Sequence, residues 1–238
     1  MQGVVGSSPI SSTIVFERPC GRFNFGLIFF LLFPKMPPML YMVRHGQTDW
    51  NLEHKIQGTY DIGLNDAGRA QAAQTAEKLK PFNLEKIISS DLARAKQTAE
   101  IIGNALNITV EYDARLREYD FGQLTGMYKR AVDPTLVGMF FANPQKFGAE
   151  QFGDAFTRVG EFLESVDYDK NTLLVTHGGV INFAMCYMED KNKFDPQSYL
   201  QKCLANQVDN AAILRIKNLQ SEIAMLKKTR FFKLPKSK

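Results

Sequence analysis

The chain reads as an α/β fold, a three-layer sandwich in which a mostly parallel sheet is flanked by helices. Two observations point there. From Met39 onward, short apolar runs alternate with longer segments of helical period, as in a sheet covered on both faces. The apolar runs also stop at polar residues and glycines, where a strand would turn into the next helix.

Each element follows from its own residues. "MLYMVR" (39–44) is the first strand. Asn65 and Asp66 cap a helix whose Ala70, Ala73, Ala76 and Leu79 share a face, and Pro81 ends it. "KIIS" (86–89) is the second strand. A helix from about Asp91 to Leu106 turns Leu92, Ala95, Ala99 and Ile102 inward, and "ITVEY" (108–112) follows as a third strand. Residues 122–148 hold glycine, proline and scattered aromatics without a clear period, which suits a loop or short-helix insertion over the sheet. Phe152, Phe156, Val159 and Leu163 then recur as one helix face within 150–166. "TLLVT" (172–176) is a buried strand, Gly178 and Gly179 open a helix behind His177, and "AAILRI" (211–216) is the last strand.

Composition bounds the partners. The 238 residues suit one domain with appendages, and the core needs no disulfide or metal staple. The net charge of +4 owes a visible part to the C-terminal "LKKTRFFKLPKSK", while the centre mixes both signs, so no nucleic-acid partner is expected. Cys20, Cys186 and Cys203 show no metal-ligand spacing, and a reducing cytoplasm fits them best. Residues 1–38 read as an extension, disordered or the product of a misplaced start at which Met36 or Met39 would be the true beginning. Its "FGLIFFLLF" (25–33) is too short to span a bilayer, and no membrane partner is expected. The domain is expected over 39–217, with a basic tail at 218–238.

Chemistry gathers at the strand ends. In such sheets ligands sit beyond the carboxyl ends of the strands, where helix N-termini present free N–H groups. Arg44 and His45 end the first strand and His177 ends "TLLVT". A lone histidine is more often an ordinary hydrogen-bonded imidazole. Two of the three at this rim, beside an arginine that burial would leave unpaired, favour an anion site. His54 lacks that context and reads as surface loop.

"RHGQTDWN" (44–51), "SSDLARAKQTA" (89–99), "LREYDFG" (116–122) and "THGG" (176–179) resemble, in order, the signature segments of the histidine phosphatase superfamily in its phosphoglycerate mutase-like branch. The resemblance implies a phosphoglycerate mutase-like fold and a phosphohistidine mechanism without metal or cofactor. It implies His45 as nucleophile, His177 as a second catalytic contact, and Glu118 as the acid and base that protonates the leaving alkoxide and then takes a proton from water. Arg44, Arg94, Asn51, His177 and Gly178 would bind the phosphoryl group, with Thr48, Gln57 and Gly58 lining the substrate pocket. Arginine forks suit this task because a phosphoryl group in transfer spreads charge over its equatorial oxygens.

The segment "GQLTGM" (122–127) departs from the pattern of many members, at the rim near Glu118. Glu118 and His177 are separated by fewer residues than in bisphosphate-dependent mutases, and the intervening cations are few beyond Lys129, Arg130 and Lys146. A small-molecule phosphomonoesterase is therefore expected, ahead of a bisphosphate-dependent phosphoglycerate mutase and of a non-catalytic binding module. The natural substrate and the oligomeric state are left open.

Overall fold

The computed structural model describes residues 38–205 and 208–216, all within the compact unit 37–238. The expected N-terminal extension, all but Pro38, and the basic tail lie outside the described residues. Five strands form one sheet in the order β3-β2-β4-β1-β5. They are β1 (Leu40–Arg44), β2 (Lys86–Ser89), β3 (Val110–Tyr112), β4 (Thr172–Thr176) and β5 (Ile213–Ile216). β3, β2, β4 and β1 run parallel, and β5 joins β1 antiparallel, with Leu40 opposite Thr172 on one side and Ile216 on the other.

Seven α-helices accompany the described strands: α1 (Asp49–Leu52), α2 (Asp66–Leu79), α3 (Ala93–Leu106), α4 (Pro134–Ala142), α5 (Phe152–Glu164), α6 (Gly178–Glu189) and α7 (Pro196–Ala205). The twofold alternation of strand side chains builds the three layers. Tyr41, Val43, Ile87, Leu173 and Val175 pack with Ala76 and Leu79 of α2 and Ala95, Ala99 and Ile102 of α3. Leu40, Met42, Ile88 and Leu174 face the other way, onto α5 and α6. There Phe152, Phe156, Val159 and Leu163 are all buried, as their spacing predicts. The insertion holds α4 and three short 3-10 turns, and Phe140 of α4 and Leu124 anchor it to this second core.

The sequence reading needs correction in four places. Ala70 and Ala73 are exposed, and the buried face of α2 is Gly68, Ala72, Thr75, Ala76 and Leu79. Alanines surround this helix, so they do not mark its inner side. Close approach does: a Cβ on Gly68 would lie 2.1 Å from the Gln47 carbonyl oxygen, and the Thr75 hydroxyl donates to the Ala211 carbonyl. The third helix begins at Ala93 with Leu92 as its N-cap. β3 and β5 are shorter than "ITVEY" and "AAILRI" suggest. Helix α7 goes unnoticed in the sequence because only Tyr199 among its described residues is fully buried.

Candidate active site

A cleft of about 670 Å³ opens beyond the carboxyl ends of β1 and β4. Its wall includes Arg44, His45, Asn51, Gln57, Gly58, Arg94, Glu118 and Gly178. Those eight residues come from five separate stretches of chain, and the parallel pairing of Arg44 with Thr176 brings the first and last of them together.

His45 is 2% exposed, and its Nδ1 lies 2.7 Å from the Gly46 carbonyl oxygen. A carbonyl only accepts, so Nδ1 carries the proton and Nε2 keeps its lone pair. Burial, Arg94 and Arg44, in that order, push its pKa well below 6.5, and the imidazole is held neutral. His177 is fully buried behind it, with ring centroids 5.3 Å apart. Its Nε2 lies 2.9 Å from the Ser90 hydroxyl, and its Nδ1 has no partner. Burial and the same arginines keep this ring neutral too.

The cations are fixed by backbone. Arg94 is 0% exposed and donates from Nη2 to the Gly58 carbonyl at 2.7 Å and from Nη1 to the Tyr60 carbonyl at 2.8 Å. Asp61 Oδ1 accepts from Ala93 N–H at 2.6 Å, so the 57–61 loop also caps the helix that carries Arg94. Gly58 is at φ 51°, a conformation that favours glycine and turns its carbonyl to the guanidinium. Arg44 donates from Nη1 to the Val208 carbonyl at 2.5 Å. Burial lowers both arginines, Arg94 to about 10, so both stay charged near neutral pH. The Nε of each is buried without a partner.

Glu118 faces this cluster from the turn after β3. Its Oε1 accepts from Tyr119 N–H at 3.0 Å and its Oε2 from Gly179 N–H at 3.2 Å. Arg117 is engaged elsewhere, by Asp91 at 2.7 Å. Asn51 Oδ1 accepts from Thr48 N–H at 3.0 Å, the Thr48 hydroxyl at 3.1 Å and Asn210 Nδ2 at 3.3 Å. Its oxygen is thus committed, and its nitrogen is the end left for an anion. Thr48 is expected in the pocket but is fully buried as the N-cap of α1, and it is absent from the cleft wall. Its part is to hold Asn51. Gln57 lines the cleft, with a buried Oε1 lacking a partner.

Sequence reasoning misses part of this wall. His54, read as plain surface, reaches it from an exposed position with φ 55°. Lys55 and Lys129 join it, as do Ile56, Phe121, Asn182, Tyr199, Cys203 and Val208. Residues 54–56 and the insertion pair around an isolated antiparallel bridge of Lys55 with Tyr128, through Ile56 N–H to Met127 O, Gly126 N–H to Ile56 O and Lys129 N–H to His54 O, each at 2.8–2.9 Å. Burial and Arg44 lower the Lys129 ammonium while Glu118 raises it. Among the described residues no group of three or more His, Cys, Asp or Glu side chains is placed to hold a metal ion. No helix among them is long and apolar enough to cross a membrane.

Comparisons with known proteins bear on the family and the fold. The family model of the histidine phosphatase superfamily (branch 1) matches residues 40–219. Proteins named probable phosphoglycerate mutase GpmB from Salmonella choleraesuis and Salmonella arizonae are 47% identical over 94 residues, 40% of this chain and 42% of theirs. The match therefore spans less than half the length of these curated relatives. A mycobacterial glucosyl-3-phosphoglycerate phosphatase solved with VO3 superposes with a TM-score of 0.65 at 28% identity, covering 76% of this chain and 92% of that one. A phosphoserine phosphatase from Entamoeba histolytica, in complex with 3-phosphoglyceric acid, gives 0.61 at 26% identity, with 75% and 89% covered.

Proposed function

The chain belongs to the histidine phosphatase superfamily, and from that premise we propose that it hydrolyses small-molecule phosphomonoesters through a phosphohistidine on His45. One observation carries the reading: a neutral imidazole with a free Nε2 sits among buried groups that have no hydrogen-bond partner among the described residues, namely the donors Arg44 Nε and Arg94 Nε, and His177 Nδ1, which carries its ring's proton when the Ser90 hydroxyl donates to Nε2. Such donors cost stability until an anion takes them. A phosphoryl group meets all three.

In the proposed reaction His45 Nε2 attacks phosphorus and the P–O bond to the alcohol breaks, with Glu118 giving its proton to the leaving oxygen. Water then attacks the phosphohistidine, Glu118 recovers a proton from it, and the P–N bond breaks to release inorganic phosphate. Arg44, Arg94, His177, the Asn51 amide and the Gly178 end of α6 hold the equatorial oxygens as charge redistributes. Thr48 serves by positioning Asn51, and Gln57 and Gly58 shape the pocket. A cationic cleft of this kind supplies the charge that a metal would bring elsewhere. The names of the structural neighbours, phosphatases of phosphorylated small molecules, support hydrolysis. The two described cysteines, Cys186 and Cys203, are free thiols, in keeping with the expected cytoplasmic setting.

A mutase is the second reading, favoured by the name of the curated relatives and by Lys55, which joins Lys129 of the insertion at the cleft and brings a cation there beyond those of the insertion. Product analysis separates the two. Hydrolysis releases one inorganic phosphate per alcohol and needs no bisphosphate. Bisphosphate-dependent interconversion of 2- and 3-phosphoglycerate that outpaces phosphate release would reject it.

A further inference from the structure

The phosphate end of the cleft is cationic, but the wall beside Glu118 has a different character. Asn182, Tyr199 and Cys203 form it. Asn182 follows Gly178 by four residues and Gly179 by three, so all three occupy one face of α6, which is the face that lines the cleft. A Cβ built on Gly179 would lie 2.4 Å from Glu118 Oε1 and 3.3 Å from the Tyr199 hydroxyl, so this wall adjoins the carboxylate.

Asn182 is 5% exposed. Its Nδ2 donates to Cys203 Sγ at 3.3 Å, while its Oδ1 is buried with no partner. Cys203 also hydrogen-bonds Tyr199, and burial raises the pKa of both, so neither adds a charge. An unpaired carbonyl in a neutral wall, next to the group that serves the leaving oxygen, selects for a ligand with a hydrogen-bond donor.

We infer that Asn182 is a specificity residue whose Oδ1 accepts a hydrogen bond from the alcohol half of the substrate, so that preferred substrates carry a hydroxyl or amino group near the phosphate ester. This inference rests on the phosphatase reading and names the leaving group it favours. Plain alkyl phosphates would leave Oδ1 unpaired in the bound state, and a site of this type discriminates against analogues that lack the donor.

The test compares 2-hydroxyethyl phosphate with n-propyl phosphate, which have the same number of non-hydrogen atoms. The intact chain is expected to favour the hydroxylated ester by about tenfold or more in kcat/KM, and Asn182→Leu should bring the ratio close to one. A merely structural role for Asn182 would slow both esters alike. If Asn182→Leu does not fold, Asn182→Asp carries the comparison: its carboxylate should shift preference toward 2-aminoethyl phosphate by about tenfold relative to the hydroxyl ester, and an unshifted preference overturns the inference. A ratio near one in the unaltered chain, with p-nitrophenyl phosphate hydrolysed, overturns it and leaves the phosphatase reading standing. Failure on all of these esters defeats both.

Discussion

The backbone N–H of Gly179 holds Glu118 Oε2 at 3.2 Å, and the absence of a side chain on Gly179 is what allows the carboxylate to come so near. Any Cβ there would sit 2.4 Å from Glu118 Oε1, closer than real contacts permit. Gly179→Ala should therefore push Glu118 out of line and cost about ten- to a hundredfold in kcat on alkyl phosphates. Alanine favours the helix by about 1 kcal/mol over glycine, so the melting temperature should hold or rise. Loss of stability with activity retained would contradict the assignment.

Glu118→Gln isolates the proton that the leaving group needs. Esters of ordinary alcohols should slow by about a hundredfold or more, and p-nitrophenyl phosphate far less, because a phenolate departs with little help. Leaving-group dependence of kcat is the measurement. Equal losses on both classes would remove Glu118 from proton transfer.

Arg94 ties stability to binding. Its two donors satisfy the Gly58 and Tyr60 carbonyls, so Arg94→Ala should destabilise the domain by about 2–4 kcal/mol as well as abolish phosphate affinity. Arg94→Lys keeps the charge and loses the fork. Inorganic phosphate should raise the melting temperature of the unaltered protein, and this rise should be much smaller in Arg94→Lys.

The two buried histidines set an acid limit on stability. Both are held neutral in the fold, with pKa values well below 6.5, whereas the unfolded chain binds protons at the ordinary value. Their contribution is fully present above about pH 6.5 and is lost as pH falls, by up to about 1.4 kcal/mol per pH unit for each ring. Thermal melts between pH 7.5 and 5 should show the decline, and His177→Asn should flatten it. A melting temperature constant across that range would contradict the burial argument.

The parts of the fold and site that are legible in the sequence are those where one short segment carries both structure and chemistry. "MLYMVRHG" shows its strand and its strand-end residues together, and the aromatic spacing of α5 admits one buried face. Arg94 is less legible, since nothing in "DLARAKQTAE" says that a charged residue will be wholly buried; the Gly58 and Tyr60 carbonyls that pair with it lie far back in the chain. Asn182, Tyr199 and Cys203 are not legible at all, because their meeting depends on how α6 and α7 pack. The exposed alanines of α2 mislead for a related reason: residue type alone cannot tell which side faces the sheet when small residues surround the helix.

The central claim is a covalent bond from phosphorus to His45 Nε2, and the most direct measurement is its capture. Turnover of a phosphorus-labelled monoester, quenched in alkali because phosphohistidine is labile to acid, should leave label on the peptide containing His45, appearing and decaying fast enough to account for phosphate release. His45→Ala should abolish both label and turnover. Full hydrolytic activity with no label on His45 at any time, or undiminished turnover by His45→Ala, would contradict the account.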